Sequence, residues 1–172
     1  MNEKLKKVMS TAAYLGLAVL LVLLDQFTKA ETVRVLKDGP TISLIPKVLE
    51  LVYVENTGAV FGFMSNSTLF FCIVTPIFVL MMGYVFFQVP KEKKFFWARL
   101  CVLLVVAGGI GNFIDRVTKG FVVDMIYFVP INFPVFNVAD CYVTVGVFLL
   151  TFFLLFWKEL GEKMFPEDKK KK

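Results

Sequence analysis

Four apolar runs, each about 20 residues long, leave few folds open to this sequence. They are Val8–Leu24, Leu69–Val89, Trp97–Ile114 and Val138–Trp157. Runs of that length cross a bilayer as helices, because lipid offers no partner to an unpaired peptide group. Apolar residues make up 58% of the 172 residues and charged ones only 19%, too apolar a balance for a water-soluble domain of this size. The expected fold class is therefore membrane all-α. One integral membrane domain spans residues 1–172, with helices at about 8–28, 69–89, 97–116 and 138–158. The first run follows Lys4, Lys6 and Lys7, as a cleavable signal would. No small-x-small cleavage site follows it, and three further spans need an anchor, so it reads as a span.

The net charge of +5 does not indicate nucleic acid, because of where the cations lie. Thirteen Lys and Arg residues fall before the first run, between the second and third (Lys91, Lys93, Lys94, Arg99) and after the fourth, against six in the other two loops. The positive-inside rule then places both termini in the cytoplasm. The tail Lys169–Lys172 is a solvated charge run.

Between the first two spans the pattern changes. Ile42 and Leu44 alternate with Thr41 and Ser43, Leu49–Val54 is rich in branched and aromatic residues, and Pro46 separates the two stretches. Two short strands are expected in a β region at about 41–62, with edges free to meet an extended peptide. Asn56-Thr57-Gly58 is a turn signal, and Ala59–Met64 leads towards the second span. The segment from about Arg116 to Asn137 contains Gly120, Pro130 and Pro134, so it is no long helix. Its aromatic and aliphatic residues suit an interfacial anchor or the wall of a lipid-facing groove.

With the termini inside, four acids meet at the outer rim. Asp25 ends the first span, Asp115 ends the third, Asp140 opens the fourth, and Asp124 lies in the loop between the last two. A single acid there often only terminates a span. Four acids with Lys29, Asn56, Asn112, Arg116 and Asn137 on the same side point to function, since ionisable groups beside lipid are expensive. Lys29 lies one helical turn after Asp25, and the two can pair. Gly108, Gly109 and Gly111 let helices approach closely, which brings Asn112 and Asp115 near the fourth span.

The chain has no His, which excludes a His-ligated zinc and any Ser–His or Cys–His pair. Cys72, Cys101 and Cys141 lack ligand spacing, so no metal and no cofactor is expected. Cys141 beside Asp140 has no base to activate it, and apolar surroundings raise a thiol's pKa. Two carboxylates sharing a proton remain able to hydrolyse a peptide: one takes a proton from water, the other protonates the leaving nitrogen. Asp124 sits between Val122-Val123 and Met125-Ile126, an apolar setting that favours a shared proton, whereas Asp115 has ready neighbours for a structural network.

Five segments, in order, carry a resemblance. Asp25-Gln26-Phe27-Thr28-Lys29 is similar to D-Q-x-(S/T)-K, and Asn56-Thr57-Gly58-Ala59-Val60-Phe61-Gly62 to N-x-G-A-x-F-(G/S). Gly108 through Arg116 is similar to G-G-A-(I/L)-G-N-x-x-D-R, and Gly120 through Asp124 to G-x-V-(V/T)-D. Phe133 through Asp140 is similar to (F/Y)-P-x-F-N-x-A-D. Together they resemble the lipoprotein signal peptidase, or signal peptidase II, family. The resemblance implies four transmembrane helices with a small extracytoplasmic sheet, or cradle, between the first two. It implies a bacterial inner-membrane enzyme with its site at the outer leaflet. It implies an aspartyl endopeptidase that cuts a diacylated prolipoprotein before the lipidated Cys. Asp124 and Asp140 match the catalytic aspartates. Asn56, Gly58, Asn112, Asp115, Arg116, Asn137, Ala139, Asp25 and Lys29 match supporting or substrate-binding positions. Membrane lipid and globomycin-type cyclic peptides are the further expected partners, a monomer the expected state, and the aromatic stretch Tyr127–Phe136 the expected cover over substrate. A small four-helix ion- or proton-coupled transporter is the rival reading, and it should carry an acid near mid-span. A lipid-modifying transferase is another.

Overall fold

The computed structural model describes residues 3–58 and 68–164, with side chains from residue 11 onward. Ala59–Met64 and Lys169–Lys172 therefore lie outside the described residues. The chain runs α1 (Glu3–Leu36), β1 (Ile42–Ile45), β2 (Leu49–Asn56), α2 (Thr68–Gln88), α3 (Phe96–Lys119), β3 (Val122–Phe128), α4 (Val138–Phe156) and α5 (Lys158–Met164). Four of the helices are long and apolar enough to cross a membrane, as the sequence requires.

The helix α3 is the axis of the bundle. It buries residues on all sides, among them Ala98, Val102, Val105, Gly108, Gly111 and Asp115. By contrast α1, α2 and α4 turn large apolar side chains outward, such as Leu20, Leu80 and Phe148. That is the arrangement for a bundle whose solvent is lipid. The glycines explain the closeness of α3 to its neighbours. A Cβ on Gly108 would collide with the Ala139 carbonyl of α4, and one on Gly109 would lie 2.7 Å from a Val79 methyl of α2. From the α4 side, a Cβ on Gly146 would lie 2.6 Å from the Cys101 carbonyl.

At one end, Met82, Val89, Phe95, Val102, Leu150, Leu160 and Met164 form a closed apolar core. The short helix α5 was not foreseen. Its Leu160 and Met164 fill that core, while Lys163 on its outer face pairs with Glu92. Arg99 is buried nearby, its guanidinium 4.7 Å from the Tyr14 ring centroid and 4.8 Å from that of Phe86. Such stacking offsets part of the cost of a buried cation.

The opposite end carries the sheet. Both expected strands form, as an antiparallel pair, and their place between the first two spanning helices is as expected. A third strand, β3, comes from the connection between α3 and α4 and pairs antiparallel with β2, giving the order β1-β2-β3. Val122–Phe128 has strand-forming residues, but a strand needs a partner, and its partner lies far earlier in the chain. Phe136 adds an isolated bridge to Ile126, so the stretch Tyr127–Phe136 is tied down at both ends. The pairing slips between Leu51 and Val54, a bulge that places Asp124 opposite Val54. Gly120, at φ +83°, ends α3 in the left-handed conformation and lets the chain turn at once into β3.

The first spanning helix is longer than expected. It continues beyond residue 28 to Leu36, because Asp25, Lys29, Thr32 and Leu36 are all buried along one stripe. Spacings of four, three and four keep a helical face in contact with the rest of the molecule after the apolar run has ended.

Candidate active site

Four carboxylates meet where α1, α3, α4, β2 and β3 come together, and they fall into two differently solvated sets. The first set is Asp25 and Asp115, both fully buried with Lys29 between them. The Lys29 ammonium is 2.9 Å from Asp25 Oδ2 and 3.5 Å from Asp115 Oδ2. Lys119, one turn after Asp115, adds a second cation at 2.9 Å from Oδ1. The remaining acceptor positions take neutral donors. The amide of Ala139, in the first turn of α4, donates to Asp25 Oδ1 at 3.0 Å, and that of Val123 to Asp115 Oδ2 at 3.0 Å. A carboxylate against a helix N-terminus is well placed with respect to the helix dipole. Gln26 spans the set, donating to Asp25, to the Gly111 carbonyl and to Asp115.

The second set is Asp124 and Asp140, and amides alone hold it. Asn56 donates to Asp124 Oδ2 at 2.8 Å and Asn137 to Asp124 Oδ1 at 2.6 Å. Asn112 donates to Asp140 Oδ1 at 2.7 Å, and the backbone N–H of Asn137 to Asp140 Oδ2 at 3.0 Å. That last contact is half of a capping box, since the Asn137 side chain accepts from the Asp140 N–H at 3.0 Å. Asn137 thus touches both carboxylates. Among the described residues neither forms an ion pair.

All three side-chain amides are fixed in orientation by what their oxygens accept. Asn56 Oδ1 accepts from the Gly58 N–H, Asn137 Oδ1 from the Asp140 N–H, and Asn112 Oδ1 from both Lys29 and Asn137. Each therefore turns its NH2 group to a carboxylate. A proton held by the pair must use the lone pairs these amides leave free. Burial and the neighbouring charge of Asp140 push Asp124 up to about 6, against the smaller opposing effect of its two amide donors. The pair is thus suited to hold one proton and to activate water.

Arg116 neighbours Asp115 in the chain, yet its guanidinium turns away, lying 4.8 Å from the Phe71 ring centroid and 3.4 Å from the carbonyls of Gly58 and Asn112. Successive residues on a helix point about 100° apart, so adjacency in sequence is poor evidence of pairing. The structure brings together all the expected residues: Asp25, Lys29, Asn56, Gly58, Asn112, Asp115, Arg116, Asp124, Asn137, Ala139 and Asp140. Gln26 and Lys119 were missed. Gln26 lies inside the first motif, and Lys119 stands one turn from Asp115, the same spacing that flagged Lys29. The acids lie where the spanning helices meet the sheet, with α1 continuing past Asp25 to Leu36, and among the described residues no cluster suited to a metal is present.

The model of the family described as Signal peptidase (SPase) II matches residues 17–156. A lipoprotein signal peptidase of Streptococcus thermophilus (strain CNRZ 1066) is 45% identical over 140 residues, covering 81% of this chain and 88% of that one. One from Streptococcus pneumoniae (strain ATCC BAA-255 / R6) is 41% identical over 139 residues, covering 81% and 90%. Two solved structures have the same fold. A bacterial membrane enzyme solved in meso at 2.3 Å superposes with a TM-score of 0.76 at 32% identity, covering 94% of this chain and 95% of that one. Another, at 1.9 Å, has a TM-score of 0.73 at 35% identity, covering 84% and 94%.

Proposed function

The chain belongs to the signal peptidase II family, and from that membership we propose that it is the aspartyl protease of prolipoprotein maturation. It is a multi-pass bacterial membrane protein that removes signal peptides from prolipoproteins. The cut falls before the Cys that already carries diacylglycerol. One observation carries the catalytic type: Asp124 and Asp140 are held by neutral amides and bridged by Asn137, while Lys29 and Lys119 are taken up by Asp25 and Asp115.

In this mechanism the pair enters the reaction with one proton. Asp124, which burial and the Asp140 charge push up to about 6, holds it. Ionised Asp140 takes a proton from water, whose oxygen attacks the scissile carbonyl carbon. Asp124 hydrogen-bonds the carbonyl oxygen as negative charge develops there. Collapse of the tetrahedral species breaks the C–N bond as Asp124 gives its proton to the leaving amine nitrogen, and Asp140 keeps the proton taken from water, so the pair again holds one proton. The product is a free α-amino group on the lipidated Cys and a carboxylate on the signal peptide. Arg116, which among the described residues pairs with no carboxylate, lies beside Gly58 and Phe71 and suits a substrate carbonyl.

The bilayer positions this chemistry. The excess of Lys and Arg in the loops on one side supports cytoplasmic termini and acids at the outer leaflet, where a lipid-anchored cleavage site would lie. The enzyme acts as a monomer, with membrane lipid around it and globomycin-type cyclic peptides as competitors for the substrate site. A coupled transporter is disfavoured by the family. The test is to incubate the purified protein with a diacylated prolipoprotein and follow the shortened product. Cleavage by wild type and none by Asp124→Asn or Asp140→Asn, both folded, supports the reading. Undiminished cleavage by either variant removes it.

A further inference from the structure

Lys29 does more in this geometry than neutralise acids. Its ammonium is fully buried and donates to Asn112 Oδ1 at 2.8 Å, while the other end of the same amide donates to Asp140 Oδ1 at 2.7 Å. We propose that Lys29 is a positioning residue for peptide cleavage: through Asn112 it fixes which end of an amide meets Asp140 and so holds that carboxylate for water activation. The inference rests on the aspartate-pair reading given above.

The physical basis is the ambiguity of an asparagine. Its oxygen and nitrogen differ little in size, so only its partners decide which faces which. At Asn112 the oxygen sits between Lys29 and the Asn137 NH2 group, 3.1 Å away. A flipped amide would present NH2 to an ammonium and to another NH2, and an oxygen to a carboxylate. At the oxygen end the ammonium is the stronger of the two donors, because it is charged, buried and shorter-bonded than the Asn137 NH2 group. It also polarises the amide, which strengthens the donation to Asp140 at the far end. Lys29 is itself held on α1 by Asp25, which takes the Ala139 N–H at the start of α4. Thus α1, which contributes no group in contact with the reacting pair, determines how α3 presents Asn112 to α4.

Lys29→Met alone would leave the buried Asp25 without its cation and confuse chemistry with folding. The variant to test is Asp25→Asn/Lys29→Met. It removes one charge of each sign, the new amide still accepts from Ala139, and Asp115 keeps Lys119 and the Val123 N–H. The reference is Asp25→Asn. Relative to it, kcat for a diacylated prolipoprotein should fall by about 10- to 100-fold, the scale of one charge-assisted hydrogen bond. KM should stay the same, and thermal unfolding should occur no earlier. Adding Asn112→Ala should cause little loss beyond that of Asn112→Ala alone, since the two act in series. A kcat equal to that of Asp25→Asn, or losses at Lys29 and Asn112 that multiply, would show that Lys29 only balances charge. The aspartate-pair reading fails by a different result, namely Asp124→Asn cleaving the same substrate at the wild-type rate.

Discussion

Asp25 and Asp115 accept from ammonium groups, while among the described residues Asp124 and Asp140, in the same cluster, accept only from amides. All four are carboxylates at the same end of one bundle, and Asp115 is as deeply buried as Asp124. What separates them is the sign and rigidity of their partners. A cation beside a buried carboxylate fixes its charge, which makes a good strut and a poor proton donor. Amides satisfy the oxygens without fixing the charge, so a proton can be gained and lost as chemistry requires. The cation-tied pair links α1 to α3 and α4, and the amide-held pair joins β3 to α4 through Asn137.

The contrast predicts opposite phenotypes for the same isosteric change. Asp124→Asn and Asp140→Asn should each lower kcat by about 10²- to 10⁴-fold, the usual worth of a positioned acid or base, with thermal unfolding close to wild type. Steady-state cleavage alongside thermal unfolding decides this, and a variant that is active but fragile would place its residue in the other class.

Asp115→Asn should do the reverse. Removing one partner from a buried ion pair costs on the order of 3–5 kcal/mol. The transition midpoint should therefore drop markedly, while the fraction that stays folded retains turnover. A stable but inert Asp115→Asn protein would make Asp115 the partner of Asp140 and overturn the division.

Asn56→Ala sharpens the comparison through pH. Asp124 is raised to about 6, and the Asn56 donation is one of the effects that hold it lower. A pair that works with one proton loses activity as pH rises through its upper pKa. Without Asn56, ionised Asp124 loses a donor, so that alkaline limb should move to higher pH, by roughly one unit or less for a single neutral hydrogen bond. A limb that moves down, or stays fixed, would mean that Asp124 is not the group titrating there. The smallest effects are expected at the thiol and with chelators. Cys141→Ser should cleave at about the wild-type rate, and EDTA should leave cleavage unchanged. A folded but dead serine variant, or activity restored only by a divalent ion, would break the two-carboxylate scheme.

Much of the molecule is legible in the chain itself. Four apolar runs set the spans, the alternation after Thr41 gives the first two strands, and the four-residue spacing of Asp25 and Lys29 already contains their ion pair. The absence of His narrows the chemistry before any fold is drawn. These features are local: they depend on residues within a turn or two, or on composition summed over a window. The missed elements depend on distant partners. Val122–Phe128 becomes a strand only because β2 lies beside it, and α5 forms because Leu160 and Met164 find the core beneath Phe95.

The division of the carboxylates into struts and proton carriers was likewise decided by tertiary structure. In sequence, Asp115 stands next to Arg116, and Lys29 is separated from it by more than 80 residues, yet Lys29, together with Lys119, pairs with Asp115 while Arg116 turns away. Asp25 reaches the backbone of Ala139, and Asn56 reaches Asp124, over similarly long separations. Residue types fix what can ionise and what can donate. Which donor meets which acid is a matter of direction and distance, and helix rotation and strand register set both only when the bundle closes.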